Sequence, residues 1–281
     1  MTRLILLISL FLFSCRCSGT GSEEKITPKR IEKKSTTQKR IITLKDVLKN
    51  TVIIKGYWKE SDVFSDDEKN WVCSGIIISY SDKRLKIVSS MECTGIKTLL
   101  NADPVAGGPE VLDYSLKIVT PQGSEVLVNE ITANKTTGTV ILTTGKIKLV
   151  NQRDFELPPG FDEVEVGDNI FSVTAAVNGA SSPTVTFGRV TATDNLLIQH
   201  DSPLSGISTG GGLYLKKNSQ FYLVGINSNS VNNFKGSKIK GLNYSVKYTE
   251  ISTGSVILSS SNPEGACKLI RGIFSKPCEV K

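Results

Sequence analysis

The sequence predicts an all-β protein, and three observations carry that prediction. From Thr51 onward, twelve short runs rich in β-branched and aromatic residues are separated by turn residues. Helical periodicity is scarce: Leu44 to Leu48 reads as a single helical turn, and there are few convincing helices. Leu157-Pro158-Pro159-Gly160-Phe161 interrupts the series near its middle and reads as a join between two halves. Short strands in series build a sandwich or barrels, and periodicity alone does not separate one sandwich from two barrels.

The expected strands of the first half are Thr51–Trp58, Ser74–Tyr80, Leu85–Ser90, Tyr114–Thr120, Glu125–Ile131 and Thr139–Thr144. Those of the second half are Asn169–Thr174, Thr184–Thr191, Leu196–Gln199, Leu213–Lys216, Phe221–Ile226 and Leu242–Val246. Trp58 and Trp71, on either side of the acidic stretch from Glu60 to Glu68, read as core and loop anchors and not as a ligand cage.

The chain ahead of the strands is of another character. Arg3, an apolar run from Leu4 to Phe13 and Ser14-Cys15 read as an export signal, because the run is too short to span a bilayer stably. Leu12-Phe13-Ser14-Cys15 resembles a bacterial lipobox, which implies removal of residues 1–14 and acylation of Cys15; an ordinary secretory signal is the alternative. Residues 15–43 then read as a flexible basic tether. Between Lys25 and Lys49 stand Lys25, Lys29, Arg30, Lys33, Lys34, Lys39, Arg40, Lys45 and Lys49 against Glu32 and Asp46. Much of the net charge of +7 therefore sits on this spacer, which reads as solvated chain or as attraction to anionic head groups. No nucleic-acid motif accompanies it, and no nucleic-acid partner is expected.

Cysteine usage agrees with export. Besides Cys15, the natural local pairs are Cys73 with Cys93 and Cys267 with Cys278, which leaves Cys17 over. No cysteines have zinc-type spacing and His200 is the only histidine, so neither a metal nor a cofactor is expected.

The densest signal runs from Gln199 through His200-Asp201-Ser202-Pro203-Leu204-Ser205-Gly206-Ile207-Ser208-Thr209-Gly210-Gly211-Gly212 to Leu215, followed by Tyr222-Leu223-Val224-Gly225-Ile226-Asn227-Ser228. It is a turn-rich loop feeding two strands, and its three glycines leave the backbone free for positive φ and close approach. The stretch resembles the nucleophile loop of trypsin-like serine proteases, most nearly the HtrA-type bacterial branch, where an Asp stands eight residues before the Ser of G-[ND]-S-G-G-P-L. Asp201 and Thr209 are eight apart, and Thr209 takes the place of that Ser. Further segments are similar in order and spacing: Val164-Glu165-Val166-Gly167-Asp168, then Thr184 to Ala192, then Gly241-Leu242-Asn243-Tyr244-Ser245-Val246. The resemblance covers roughly residues 52–251 and implies two packed six-stranded antiparallel barrels with a site in the cleft between them. It places a protease-like domain at 44–252, with a first barrel at about 51–150 and a second at about 161–252. The remaining tail, 253–281, departs from the family, and a bridge between its local pair Cys267 and Cys278 would pin a short terminal loop.

In that register the catalytic positions are altered. The imidazole position, after Val88-Ser89-Ser90-Met91, holds Glu92, and Cys73 and Cys93 bracket it as a disulfide does in many trypsin-like enzymes. The carboxylate position, opening Thr139-Val140-Ile141-Leu142, holds Gly138; Asp113 precedes a different strand. Thr209 keeps a hydroxyl but adds a methyl group, and Ile207 stands where a glycine normally lets the loop form the oxyanion hole. A hydroxyl with no base beside it is a poor nucleophile near neutral pH. His200 reads as a histidine satisfied by local hydrogen bonds, since its register is not across the cleft from Thr209.

The resemblance therefore implies a non-catalytic domain, tethered to the bacterial envelope in the periplasm or at the surface, that binds a peptide or protein along Ile207, Ser208, Thr209, Gly210 and Gly211. One alternative is an active peptidase using Thr209 with Glu92 as base. Another is a structural lipoprotein whose cleft is empty of function. HtrA-type proteins usually carry a PDZ domain after the protease, and the roughly thirty residues after Ile251 are too few for one.

Overall fold

The computed structural model describes residues 41–61, 66–95, 110–134, 136–148, 163–176, 182–228, 241–248, 258–259, 262–274 and 279–280. The signal-like run, Cys15, Cys17, the basic tether to Arg40, the Leu157–Phe161 join and Cys278 lie outside them, as do the expected domain boundaries near 150, 161 and 252. Arg40–Lys281 makes one compact unit.

The chain enters through a short helix, α1 (Leu44–Lys49), started by a reciprocal cap. The Asp46 N–H donates to Thr43 Oγ1 at 3.4 Å, and Asp46 Oδ2 accepts from the Thr43 N–H at 2.9 Å. Six strands come next: β1 (Thr51–Ser61), β2 (Asp66–Ser81), β3 (Arg84–Ser90), β4 (Glu110–Val119), β5 (Glu125–Asn134) and β6 (Thr139–Thr144). The order β5-β6-β3-β2-β1-β4 closes on itself because β4 also pairs with β5. A second closed barrel runs β10-β11-β12-β9-β8-β7, formed by β7 (Asn169–Thr174), β8 (Thr184–Thr193), β9 (Leu197–His200), β10 (Gly212–Lys217), β11 (Gln220–Ser228) and β12 (Asn243–Lys247). All twelve expected strands form. The fold is all-β with two six-stranded antiparallel barrels, consistent with the trypsin-like double barrel.

Closure removes free sheet edges wherever neighbouring strands overlap, and the alternation of each strand fills the two interiors. The first barrel buries Ile54, Trp58, Leu85, Ile87, Tyr114, Leu116, Ile118, Ile131 and Leu142. Trp58 and Tyr114 meet edge to face, and Tyr114 stacks on Trp71, so both tryptophans are structural anchors. The second barrel buries Val164, Ile170, Val190, Ile198, Leu213, Leu215 and Val224. A third apolar cluster joins the two, with Ile76 and Val88 of the first barrel packed among Val173, Tyr214, Phe221, Leu223 and Ile226 of the second, and with Ile42 and Val47 alongside.

The tail corrects the expectation of a loop. It holds a twelve-residue helix, α2 (Pro263–Phe274), between two-residue strands β13 (Leu258–Ser259) and β14 (Glu279–Val280). β13 pairs with β5 and β14 runs parallel to β4, so the chain returns from the second barrel to the first. Ala266, Cys267 and Ile270 of α2 complete the first barrel's core. Cys267 is disulfide-bonded, and its expected partner Cys278 is outside the described residues.

Candidate functional site

The site lies where the loop before β10 meets the first barrel. Its frame is the disulfide between Cys73 of β2 and Cys93, which joins two cysteines twenty residues apart, as expected. Cys93 belongs to a 3₁₀ turn, Met91–Thr94, that succeeds β3 directly and contains Glu92. The turn is fixed at every corner. Ser90 Oγ accepts from the Glu92 N–H at 3.4 Å, Gly95 closes the turn at φ +72°, and the Trp71 indole donates to the Cys93 carbonyl at 2.8 Å. The Met91 N–H donates to the Gly138 carbonyl at 2.7 Å, which brings the Glu92 turn beside the β5–β6 turn as the register requires. Gly138 offers no side chain there, and Asp113 is exposed on β4 opposite Lys59.

For a loop of 20 residues, loss of the Cys73–Cys93 bridge is expected to destabilise the fold by about 3 kcal/mol through the gain in unfolded-chain entropy. Urea unfolding of Cys73→Ala/Cys93→Ala beside the oxidised protein measures this, and equal midpoints would refute it.

Thr209 ends a second 3₁₀ turn, Gly206–Ser208. This turn is internally bonded: the Ser208 N–H donates to the Ser205 carbonyl at 2.9 Å and the Thr209 N–H to Gly206 at 3.4 Å. The Ser205 N–H in turn donates to Ser208 Oγ at 2.9 Å. An oxyanion hole needs backbone N–H groups converging on one open point. Here two of the loop's N–H groups, those of Ser208 and Thr209, are turned onto carbonyls of the loop itself.

The glycines after Thr209 are held still more tightly. Gly210 has φ +79°, and a Cβ there would strike Ser89 Oγ and the Ser74 carbonyl. Its N–H donates to the Asn227 carbonyl at 2.8 Å, and the Asn227 N–H donates back to Gly211 at 2.8 Å. Ser74 is the hub of the junction. Its N–H donates to the Thr209 carbonyl at 2.9 Å, its Oγ donates to the Ile207 carbonyl at 2.6 Å, and that same Oγ accepts from the Ala175 N–H at 2.8 Å. Ser89 Oγ donates to the Ser74 carbonyl at 2.8 Å. Cys93 Sγ touches the Thr209 carbonyl at 3.4 Å, a contact and not a donated bond, because a half-cystine carries no proton. Sequence reasoning passed over Ser74 and Ser89; the available signal was small polar residues inside otherwise apolar strands.

Glu92 and Thr209 line one cavity of about 350 Å³ together with Lys69, Asn70, Trp71, Val72, Cys73, Gly95 and Gly206. Of the expected binding residues, Thr209 lines it; Ile207, Ser208, Gly210 and Gly211 shape the backbone behind it. One wall is the outer margin of β2. From Asp66 to Cys73 this strand pairs with β1 on one side only, and β3 reaches no further than Ile76. Val72, on that margin, is largely exposed.

His200 is elsewhere. It is fully buried in the second barrel, with Nε2 3.1 Å from Ser245 Oγ. Ser245 Oγ donates to Asn227 Oδ1 at 2.8 Å, and Asn227 Nδ2 donates to Ser172 Oγ at 2.8 Å. The serine hydroxyl has one proton and gives it to Asn227, so His200 donates from Nε2 and is the neutral tautomer protonated there. Burial pushes its pKa down to about 4, against smaller opposite pulls from Asp201 and the Ser202 backbone. Asp201 Oδ1 accepts the N–H of Arg189, within β8, at 2.6 Å. Among the described residues no group of three His, Cys, Asp or Glu side chains is placed to hold a metal. No family model matches this chain. No curated protein matches it either.

Proposed function

We propose that this chain is an exported, lipid-anchored homologue of trypsin-like serine proteases, nearest the HtrA-type branch, that has lost catalysis and binds an extended peptide or protein segment at the bacterial envelope. The observation that carries the reading is the cavity between Thr209 and β2, which holds Glu92 where a base for a hydroxyl nucleophile belongs in this register. A carboxylate there, no carboxylate at Gly138 and a loop that turns the Ser208 and Thr209 N–H groups onto its own carbonyls all favour binding over acyl transfer. The margin of β2 from Asp66 to Cys73, unpaired on one side by any described strand, is suited to accept an added strand. The apolar run at Leu4–Phe13, the lipobox-like Leu12–Cys15 and the disulfide support export and acylation at Cys15.

One experiment tests it. The full chain and Thr209→Ala are incubated with a diverse peptide library, and cleavage is read by mass spectrometry while retention is read by pull-down. The expected result is no cleavage by either protein, retention of a peptide subset by both, and loss of that subset in Val72→Pro, which removes a backbone donor from the β2 margin. Cuts by the parent that vanish in Thr209→Ala would overturn the reading. They would favour instead a peptidase in which Glu92, on the same cavity, serves as base.

A further inference from the structure

The second barrel carries an apolar feature that does not line this cavity. In the pairing of β7 with β8, Phe171 stands opposite Phe187, and in that of β7 with β10 it stands opposite Tyr214. Strand alternation then places Val185, Phe187 and Arg189 of β8 on one face with Phe171 of β7, Lys216 of β10 and Phe221 of β11. One end of this face is covered, because Val173, Tyr214 and Leu223 pack against the first barrel. The other end is open. Phe187 is 65% exposed, yet its ring is braced edge to face on Phe171 at 5.1 Å, and Phe171 on Phe221 at 5.3 Å. The ladder is framed by cations, with Arg189 exposed two residues from Phe187 and Lys216 Nζ over the Phe221 ring at 5.7 Å.

Two further observations say what covers it. The chain enters the fold here: the Phe221 N–H donates to the Ile42 carbonyl at 3.1 Å, and Ile41 is 53% exposed. The residues just upstream, 25–40, hold Lys25, Lys29, Arg30, Lys33, Lys34, Lys39 and Arg40 against Glu32 alone. β7 pairs with β8 from Thr184 to Arg189, and β9 pairs with it only from Val190 to Thr193. Beside Phe187 the other margin of β8 meets the loop after β9, where Asp201 bonds the Arg189 N–H and carbonyl and Thr186 Oγ1 donates to the Pro203 carbonyl. A braced phenyl ring set among cations, on a barrel that the chain reaches from a basic stretch of sequence, fits the headgroup boundary of an anionic bilayer.

We propose that this aromatic and cationic face of the second barrel docks on an anionic lipid surface. The inference rests on the membrane placement proposed above and adds to it a contact borne by the folded domain. The test uses the full chain with Phe187→Trp and vesicles of phosphatidylethanolamine and phosphatidylglycerol, with or without brominated acyl chains. The expected result is that bromine quenches the added indole at least about twofold more than the native fluorescence. In a second variant, Arg189→Glu/Lys216→Glu, partitioning onto the vesicles falls by about tenfold or more, as loss of two surface cations requires. Binding with no additional quenching would overturn the docking face while leaving the anchor in place. No binding at all would remove both. A concentration-dependent blue shift of the added indole without lipid would show that the face pairs with a second copy, and would also overturn the proposal.

Discussion

Gly210→Ala is expected to destabilise the fold by about 3 kcal/mol or more. Two costs add. A side chain at φ +79° is held in the left-handed region, at about 1–2 kcal/mol. The new methyl group also collides with Ser89 Oγ and the Ser74 carbonyl, and overpacking a filled junction costs about 1–3 kcal/mol. The carbonyl is backbone and cannot swing aside, so either the loop or β2 must shift and break the bond from the Ser74 N–H to Thr209. Gly206→Ala is the control in the same loop, because nothing lies within 4 Å of its Cβ and its φ is not in the left-handed region. Urea midpoints of the three proteins check the expectation, and a Gly210→Ala protein as stable as Gly206→Ala would contradict it.

Stability is expected to be flat with respect to His200 above pH 6.5 and to fall as the pH drops towards 4. The folded state holds this imidazole neutral down to about pH 4, whereas the unfolded chain takes up the proton near 6.5. Between those values the unfolded state binds more protons, so acid favours unfolding, by a total on the order of 3 kcal/mol. The structural reason is burial: a second proton on the imidazole would place a charge inside the barrel, and Asp201 and the Ser202 backbone offset only part of that cost. His200→Gln has no such titration. Other groups titrate in both proteins and cancel in the difference, so the gap in unfolding free energy between parent and variant should close as pH falls from 7 to 4.5. A gap independent of pH would refute this account of the buried chain through Ser245 and Asn227.

The twelve principal strands were legible because each is long enough to show alternation or an apolar run between turn signals. β13 and β14 were not, since two residues carry no period. The helix α2 could have been read. Asn262 caps it by accepting the Gly265 N–H at 2.7 Å, and Pro263 opens it. The pair Cys267 and Cys278 drew attention to a pinned loop instead. At the site, ordered spacing was enough to bring Glu92 and Thr209 to one cavity. Ser74 escaped notice because its role depends on partners 101 and 133 residues away, and no local pattern encodes those. The Phe187 ladder escaped for a related reason, since phenylalanines in β-runs read as core until closure shows which face turns outward.

The return of the tail to the first barrel has a consequence for the order of folding. All six strands of the second barrel lie within residues 169–247, so that barrel can close as soon as its own stretch of chain is available. The first barrel comes earlier in the chain but is finished later, because Ala266, Cys267 and Ile270 belong to its core and β14 joins β4 only once residues 279–280 are available. A chain truncated before Pro263 would thus carry its first barrel uncapped and its second one complete, with completion running opposite to the order of the sequence.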